Sequence, residues 1–251
     1  MSAYTTLTAA GYRAAVRDKV TLFFTFAFPL IFLVVFGLIY SDQDVSETGR
    51  PYISYIAPGV MSWGVANAAV FAIAFTLMQW RRDDLLRLIR LTPTPVTSVL
   101  ASRYVLALAI GLVQAVFFVA VSLLPLFGLS LDAQWPLTLP VLLAGITAFL
   151  AIGVIIGSRA DSPESVAAMA NCLMVPMAFL SGSFLPIDMM PSWLQTVAKI
   201  LPLYYFNDAA SATLTGDGGL ADIGVDCAAM AAFAVVFGAI GLKVFRWSNR
   251  T

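Results

Sequence analysis

The sequence has 251 residues, 60% of them hydrophobic and only 11% charged, with fourteen Lys and Arg balanced by fourteen Asp and Glu. That mix, with a mean hydropathy of +0.89, excludes an ordinary soluble domain and marks an integral membrane protein. The absence of His removes the commonest general base and metal ligand, and Cys172 and Cys227 lie in or beside apolar runs, where they form no disulfide framework.

Residues 1–19 are mildly amphipathic, with Arg13, Arg17 and Lys19 near their end, and read as a helix lying on the inner membrane interface. A signal peptide is the rival, but residues 20–41 carry no charge and lack a clear small-residue cleavage site, so a retained first span over about 20–40 is expected. Phe24, Phe28, Phe32 and Phe36 recur every four residues and therefore share one helical face, suited either to packing or to an aromatic substrate path. After a short acidic outer loop, a second span falls at about 55–79, with an extended or interfacial entry allowed around Tyr52 to Pro58.

The stretch from Arg81 to Arg103 holds five of the fourteen cationic residues between two long uncharged runs, the pattern of a cytoplasmic loop. A third span follows at about 103–127, an outer turn around Asp132 and Trp135, and a fourth span at about 137–158 containing Gly153 and Gly157, a GxxxG step that permits close helix approach. Ser162 and Pro163 suit the start of the fifth span, about 165–185. In the long connection 188–224, Pro191 precedes an amphipathic pattern of Trp193, Leu194, Val197, Ile200 and Leu201 that ends at Pro202, and a second apolar piece runs from Leu203 to Leu214. Both are too short to cross, so interfacial or re-entrant helices are expected there. A sixth span at about 225–245 completes an all-α integral membrane protein with six transmembrane helices.

Placing the arginine loop inside puts twelve of the fourteen Lys and Arg residues on the inner side, which makes both termini cytoplasmic. No GxxxxGK[ST] motif occurs, so this chain does not bind and hydrolyse ATP by itself. No ionisable residue falls in the middle of an expected span, which weakens an ion-coupled transporter reading. Energy must then come from another polypeptide.

Three stretches together resemble the ABC-2 type exporter permeases, particularly the daunorubicin-resistance-like drug exporters. They are Phe179-Leu-Ser-Gly-Ser-Phe-Leu-Pro186, Met190-Pro-Ser-Trp-Leu194 and Leu201-Pro-Leu-Tyr-Tyr-Phe-Asn-Asp208. The resemblance implies one transmembrane domain over residues 1–251. It implies a multi-pass protein of a prokaryotic inner membrane, moving an amphiphilic drug, antibiotic or lipid outward by alternating access. Its expected partners are a cytoplasmic ATP-binding subunit, which would hold ATP and Mg, a second permease copy or paralogue, and membrane lipid, with no nucleic acid and no cofactor on this chain. A polysaccharide or lipid-linked glycan exporter and a non-transporting membrane scaffold are the alternatives.

The same resemblance makes the loop 81–103 the docking site of the ATPase. Relatives often read Gly-Thr-Leu-Glu-x-Leu-x-x-Thr-Pro there. Here Leu86, Thr92 and Pro93 match, while Asp84 replaces the Gly and Arg87 replaces the Glu. Asp83, Asp84, Leu86, Arg87, Arg90, Thr92 and Pro93 form the docking set so implied. Phe28, Phe32, Asn67, Asn171, Met174 and Met177 are candidates for the substrate path, although helix packing explains each as well. Ser181, Gly182, Pro186, Pro191, Trp193, Pro202, Tyr204 and Asp208 would form the extracellular gate, with interface anchoring the rival explanation for the aromatics.

Overall fold

Backbone polar groups in hydrocarbon must be satisfied within the chain, and long apolar helices are the simplest solution for runs like these. A computed structural model describes residues 19–39, 44–45, 50–85, 96–125 and 127–244, and within them the chain is almost wholly helical. A four-residue helix α1 (Lys19–Leu22) passes through a π-helical turn (Phe23–Ala27) into α2 (Phe28–Ile39). A two-residue antiparallel ladder, β1 (Asp44–Val45) with β2 (Arg50–Pro51), leads to α3 (Tyr52–Arg82) and then α4 (Val96–Ser122). A 3₁₀ turn at Trp135–Leu137 opens α5 (Thr138–Arg159), and α6 (Pro163–Leu180) follows. A further 3₁₀ turn (Ile187–Met189) leads to α7 (Ser192–Ala198), α8 (Pro202–Thr215) and α9 (Leu220–Val244).

Five of these helices, α3, α4, α5, α6 and α9, are long and apolar enough to cross a membrane, while the apolar helix of the first run, Thr25–Ile39, is shorter. The interfacial helix expected at 1–19 lies outside the described residues except for Lys19. Helix α3 is continuous from Tyr52, so no extended entry exists around Tyr52 to Pro58. Helices α3 and α4 both run further into the expected loop 81–103 than anticipated, which leaves 83–95 between them. The fourth span and its capped successor are close to expectation: Ser162 Oγ accepts from Ser165 N at 3.2 Å, Ser165 Oγ accepts from Ser162 N at 3.1 Å, and Pro163 occupies the first turn. Helix α6, the expected fifth span, stops at Leu180 rather than near 185, and α9 starts at Leu220 rather than 225.

At the centre is α3, which packs against α2, α4, α5, α6 and α8, whereas α9 touches mainly α5 and α8. The most apolar stretch of α3 is 67% buried and that of α9 only 17%, so α3 is a core helix and α9 a peripheral one. The contact between α3 and α5 is made through backbone. A Cβ built on Gly153 would lie 2.5 Å from the carbonyl oxygen of Val70, and one on Gly157 2.7 Å from that of Ala74. The GxxxG step is thus the seam of the two central helices.

Arg81 closes that seam at one end. It is 3% exposed, and its Nη1 donates to the carbonyls of Gly157 at 2.9 Å and Ala160 at 3.2 Å, while Nη2 meets Asp161 Oδ1 at 3.2 Å. The guanidinium supplies donors to carbonyls that the end of a helix leaves unsatisfied, and its charge suits the negative end of the α5 dipole. An arginine of the charge island therefore belongs to the fold. At mid-depth, Gln114 of α4 donates from Nε2 to the Thr25 carbonyl of the π turn at 2.8 Å. A Cβ on Gly64 would sit 2.7 Å from Nε2, so a larger residue there would displace that amide.

Two substitutions test this core. Gly157→Val drives a side chain into the Ala74 carbonyl and is expected to cost at least about 2 kcal/mol, read as a lowered midpoint of denaturant unfolding in detergent. Arg81→Met keeps much of the apolar stem but strips the carbonyl ends of α5 of their donors. It is expected to cost about 2–4 kcal/mol in the same assay, with Arg81→Lys recovering only part of the loss.

Candidate functional site

At the end of the bundle opposite Arg81, α6 terminates and the chain turns back onto α3. The turn follows from local chemistry. Ser181 N donates to Met177 O at 2.9 Å, Gly182 takes φ +79°, and Ser183 N reaches back to Ala178 O at 3.0 Å, a left-handed helix stop that glycine tolerates best. Gly182 has a second reason to lack a side chain, because a Cβ there would lie 2.6 Å from Ile187 and 2.8 Å from the Tyr55 hydroxyl.

The loop so formed, 181–186, is held by side chains on both sides. Tyr52 Oη donates to the Phe184 carbonyl, and Tyr55 Oη contacts the Gly182 carbonyl and lies 2.8 Å from that of Leu185. From α8, Asn207 Nδ2 donates to the Ser181 carbonyl and to Ser183 Oγ, each at 2.9 Å. The backbone of α3 approaches closely enough that a Cβ on Gly59 would lie 2.5 Å from the Ser183 carbonyl. Irregular backbone next to a membrane needs such partners.

Between the first turns of α3, this loop and α8 lies a cavity of about 200 Å³. Ser54, Tyr55 and Gly59 line it from α3, and Tyr204, Asn207 and Asp208 from α8. Ser181, Gly182 and Pro186 close it from the loop, and Asp188 and Asp217 stand on the remaining side. Pro58 cannot donate to the Ser54 carbonyl one turn back, which loosens the helix where the cavity begins. Burial, then the charges of Asp217 and Asp222, raise the Asp208 carboxyl above its usual range, and burial followed by Asp208 raises the Tyr204 phenol.

Five expected gate residues, Ser181, Gly182, Pro186, Tyr204 and Asp208, therefore meet at one cavity. Pro191, Trp193 and Pro202 do not line it. Pro191 caps α7, Pro202 is the buried first residue of α8, and Trp193 is 66% exposed. Asn207 was not among the expected residues, although an amide beside Asp208 in an apolar helix is a signal in itself, since burial obliges it to find partners. Asp226 was missed because the last span was expected to begin beside it. With α9 starting at Leu220 it sits in the second turn, 5% exposed.

The other expected residues are more scattered. Phe28 and Phe32 pack edge to face at 5.2 Å, and Phe32 stacks on Phe184 at 5.2 Å and meets Trp63 at 5.6 Å, so Phe28 and Phe32 of the stripe are part of an aromatic cluster inside the chain. Met174 and Met177 are buried, Asn67 is half-buried with no partner for Oδ1, and Asn171, one turn before Met174 on α6, is exposed. Of the docking set, Leu86, Arg87, Arg90, Thr92 and Pro93 lie outside the described residues. Asp83 is exposed, and Asp84 is half-buried with φ +51°, a left-handed conformation that favours glycine. The position where relatives often carry Gly is thus one whose backbone asks for it, and Asp is among the few other residues that adopt it readily.

Comparison with known proteins agrees with this architecture. The family model described as ABC-2 type transporter matches residues 2–215. YvfS of Bacillus subtilis (strain 168), a transport permease by name, is 24% identical over 208 residues, covering 80% of this chain and 81% of its own. The daunorubicin resistance ABC transporter permease protein DrrB1 of Streptomyces coeruleorubidus is 23% identical over 237 residues, 88% of this chain and 78% of that protein. Nodulation protein J of Rhizobium meliloti (strain 1021) is 25% identical over 217 residues, 83% and 79% of the two chains. A multi-pass helical bundle whose whole body up to the end of α8 matches one family places this chain in the ABC-2 type transporter family.

Proposed function

We propose that this chain is the membrane permease of an ATP-driven exporter, working as one of two permease copies or paralogues with a separate cytoplasmic ATPase that binds ATP and Mg. The observation that carries the reading is the division of the molecule. A charge-rich segment without a nucleotide motif occupies one end of α3, and the residues of the gate motifs gather round a cavity at the other. In this reading the first run joins the five long helices as a sixth span, supported by the unbroken helical path from Lys19 to Ile39. The arginine segment and both termini face the cytoplasm of a prokaryotic cell, following the bias of Lys and Arg. Helices α7 and α8 then sit at the outer face as interfacial or re-entrant elements.

The cargo is an amphiphilic drug, antibiotic or lipid. Family membership and the similarity to a drug-resistance permease support that class. ATP closure of the partner subunits would push on the segment 83–95, and α3 would carry the displacement to the cavity.

Co-purification of this chain with a P-loop ATPase encoded beside it, and ATP hydrolysis stimulated by amphiphilic compounds in proteoliposomes, are the expected results; failure to recover any ATPase overturns the reading. Arg87→Ala with Arg90→Ala is expected to weaken coupling by about 1–3 kcal/mol, seen as loss of stimulated hydrolysis with folding intact. Asp84→Gly is expected to preserve coupling and raise stability by up to about 1 kcal/mol, whereas Asp84→Val lowers it, both read from thermal unfolding.

A further inference from the structure

The cavity described above has an unusual balance of groups. Asp188, Asp208 and Asp217 border it, and among the described residues no Lys or Arg lines it and neither Asp188 nor Asp208 has an ion-pair partner. Deeper in, two buried polar side chains hold atoms without partners. Ser181 is 0% exposed and its Oγ makes no hydrogen bond. Asn207 is 8% exposed and its Oδ1 has no donor, although its Nδ2 is fully engaged. The orientation of that amide is fixed by chemistry, because the Ser181 carbonyl can only accept and so must face the nitrogen. A buried acceptor without a donor is costly, and its presence beside an open cavity marks a place where a ligand donor completes the network.

The missing ligand can be described from these vacant valences. It is favoured by positive charge beside the exposed carboxylates, and it needs N–H or O–H donors to pair with Asn207 Oδ1 and Ser181 Oγ when these buried atoms turn toward the cavity. It is not a bare metal ion, since no three carboxylates among the described residues converge closely enough to hold one. The aromatic residues Tyr55 and Tyr204 on the wall further favour an organic cation over a neutral group of equal size. The volume, about 200 Å³, admits the head of an amphiphile but not a whole large molecule.

The geometry points to this cavity as a binding site for a protonated amine, a primary or secondary organic ammonium group carried on a small or amphiphilic molecule, held between Asp188 and Asp208 at the rim and Asn207 and Ser181 at the base. That the amine belongs to the exported molecule rests on the export reading above; binding at the cavity does not. Under that reading the site is the last one a cationic cargo meets before release, and it selects amine-bearing amphiphiles over neutral ones.

The test uses the full chain alone in nanodiscs, without an ATPase, so that it stands or falls separately from the export reading. Binding of 4-fluorobenzylamine is followed by ¹⁹F NMR titration, with empty nanodiscs subtracted. Saturable binding is expected, at least tenfold tighter than that of 4-fluorobenzyl alcohol and several-fold tighter than that of the trimethylammonium analogue, which has no N–H. Asp188→Asn with Asp208→Asn is expected to weaken amine binding at least tenfold. Ser181→Ala, which breaks no hydrogen bond of the Ser181 side chain, is expected to weaken it several-fold while the unfolding midpoint stays unchanged. Equal affinity for amine and alcohol, or no effect of the paired Asp substitutions, overturns the site. Equal affinity for the trimethylammonium analogue overturns the role of Asn207 and Ser181, and displacement of the amine by millimolar calcium overturns the organic cation in favour of a metal.

Discussion

Everything else in the bundle is arranged around the approach of α3 to α5. Without side chains at 153 and 157, the two helices meet backbone to backbone, where Cβ atoms would otherwise overlap the Val70 and Ala74 carbonyls. In lipid no hydrophobic effect drives helices together, so close packing of this kind and the hydrogen bonds around it carry the association. Arg81 adds to it at the point where the seam ends, bonding the carbonyls of Gly157 and Ala160 across the two helices. The pair behaves as one body, on which α9 and α8 lean from one side and α4 from the other.

The far end of α3 solves the opposite problem. There the chain must leave the helical regime, and every carbonyl it exposes needs a partner. The two tyrosines of α3's first turn and Asn207 of α8 provide donors to the carbonyls of 181–185, so an irregular loop is held as firmly as a helix. The cavity is what remains where these donors run out. Its polar atoms without partners, Asn207 Oδ1 and Ser181 Oγ, are the consequence of a wall built to stabilise a turn on one side while leaving the other open.

Five of the spans were legible because apolar length is a property of the chain itself. GxxxG gave the seam, and Ser162 with Pro163 gave the start of α6, for the same reason. What the sequence hid are properties of pairs. Nothing local separates Arg81 from its neighbour Arg82, yet one is buried against α5 and the other is exposed, and only the position of Gly157 across the interface decides it. The phenylalanine stripe announced a shared face but not its neighbour, which is an aromatic cluster with Trp63 and Phe184 contributed from elsewhere in the chain. Helix ends were misplaced where tertiary bonds set them. The stop at Leu180 depends on Gly182 fitting beneath Tyr55, a contact separated by more than a hundred residues. Five of the eight expected gate residues meet at the cavity, but the expected set left out Asn207, whose role appears only when the loop it staples is folded.

A helix of 31 residues is about 46 Å long, and α3 reaches both ends of the described bundle. Near its start it carries Tyr52, Tyr55 and Gly59 against the loop of the cavity, and near its end Arg81 against α5. A displacement applied near Asp84 cannot be absorbed at the α3–α5 seam, because backbone in contact with backbone has no side chains to give. In the export reading it would be relieved at Pro58, which lacks an amide hydrogen and lies one turn beyond the cavity-lining Ser54. Rigidity over most of α3 and a soft turn beside the cavity are together what a lever needs, and the order of Pro58, Gly153 and Arg81 along the two helices supplies both.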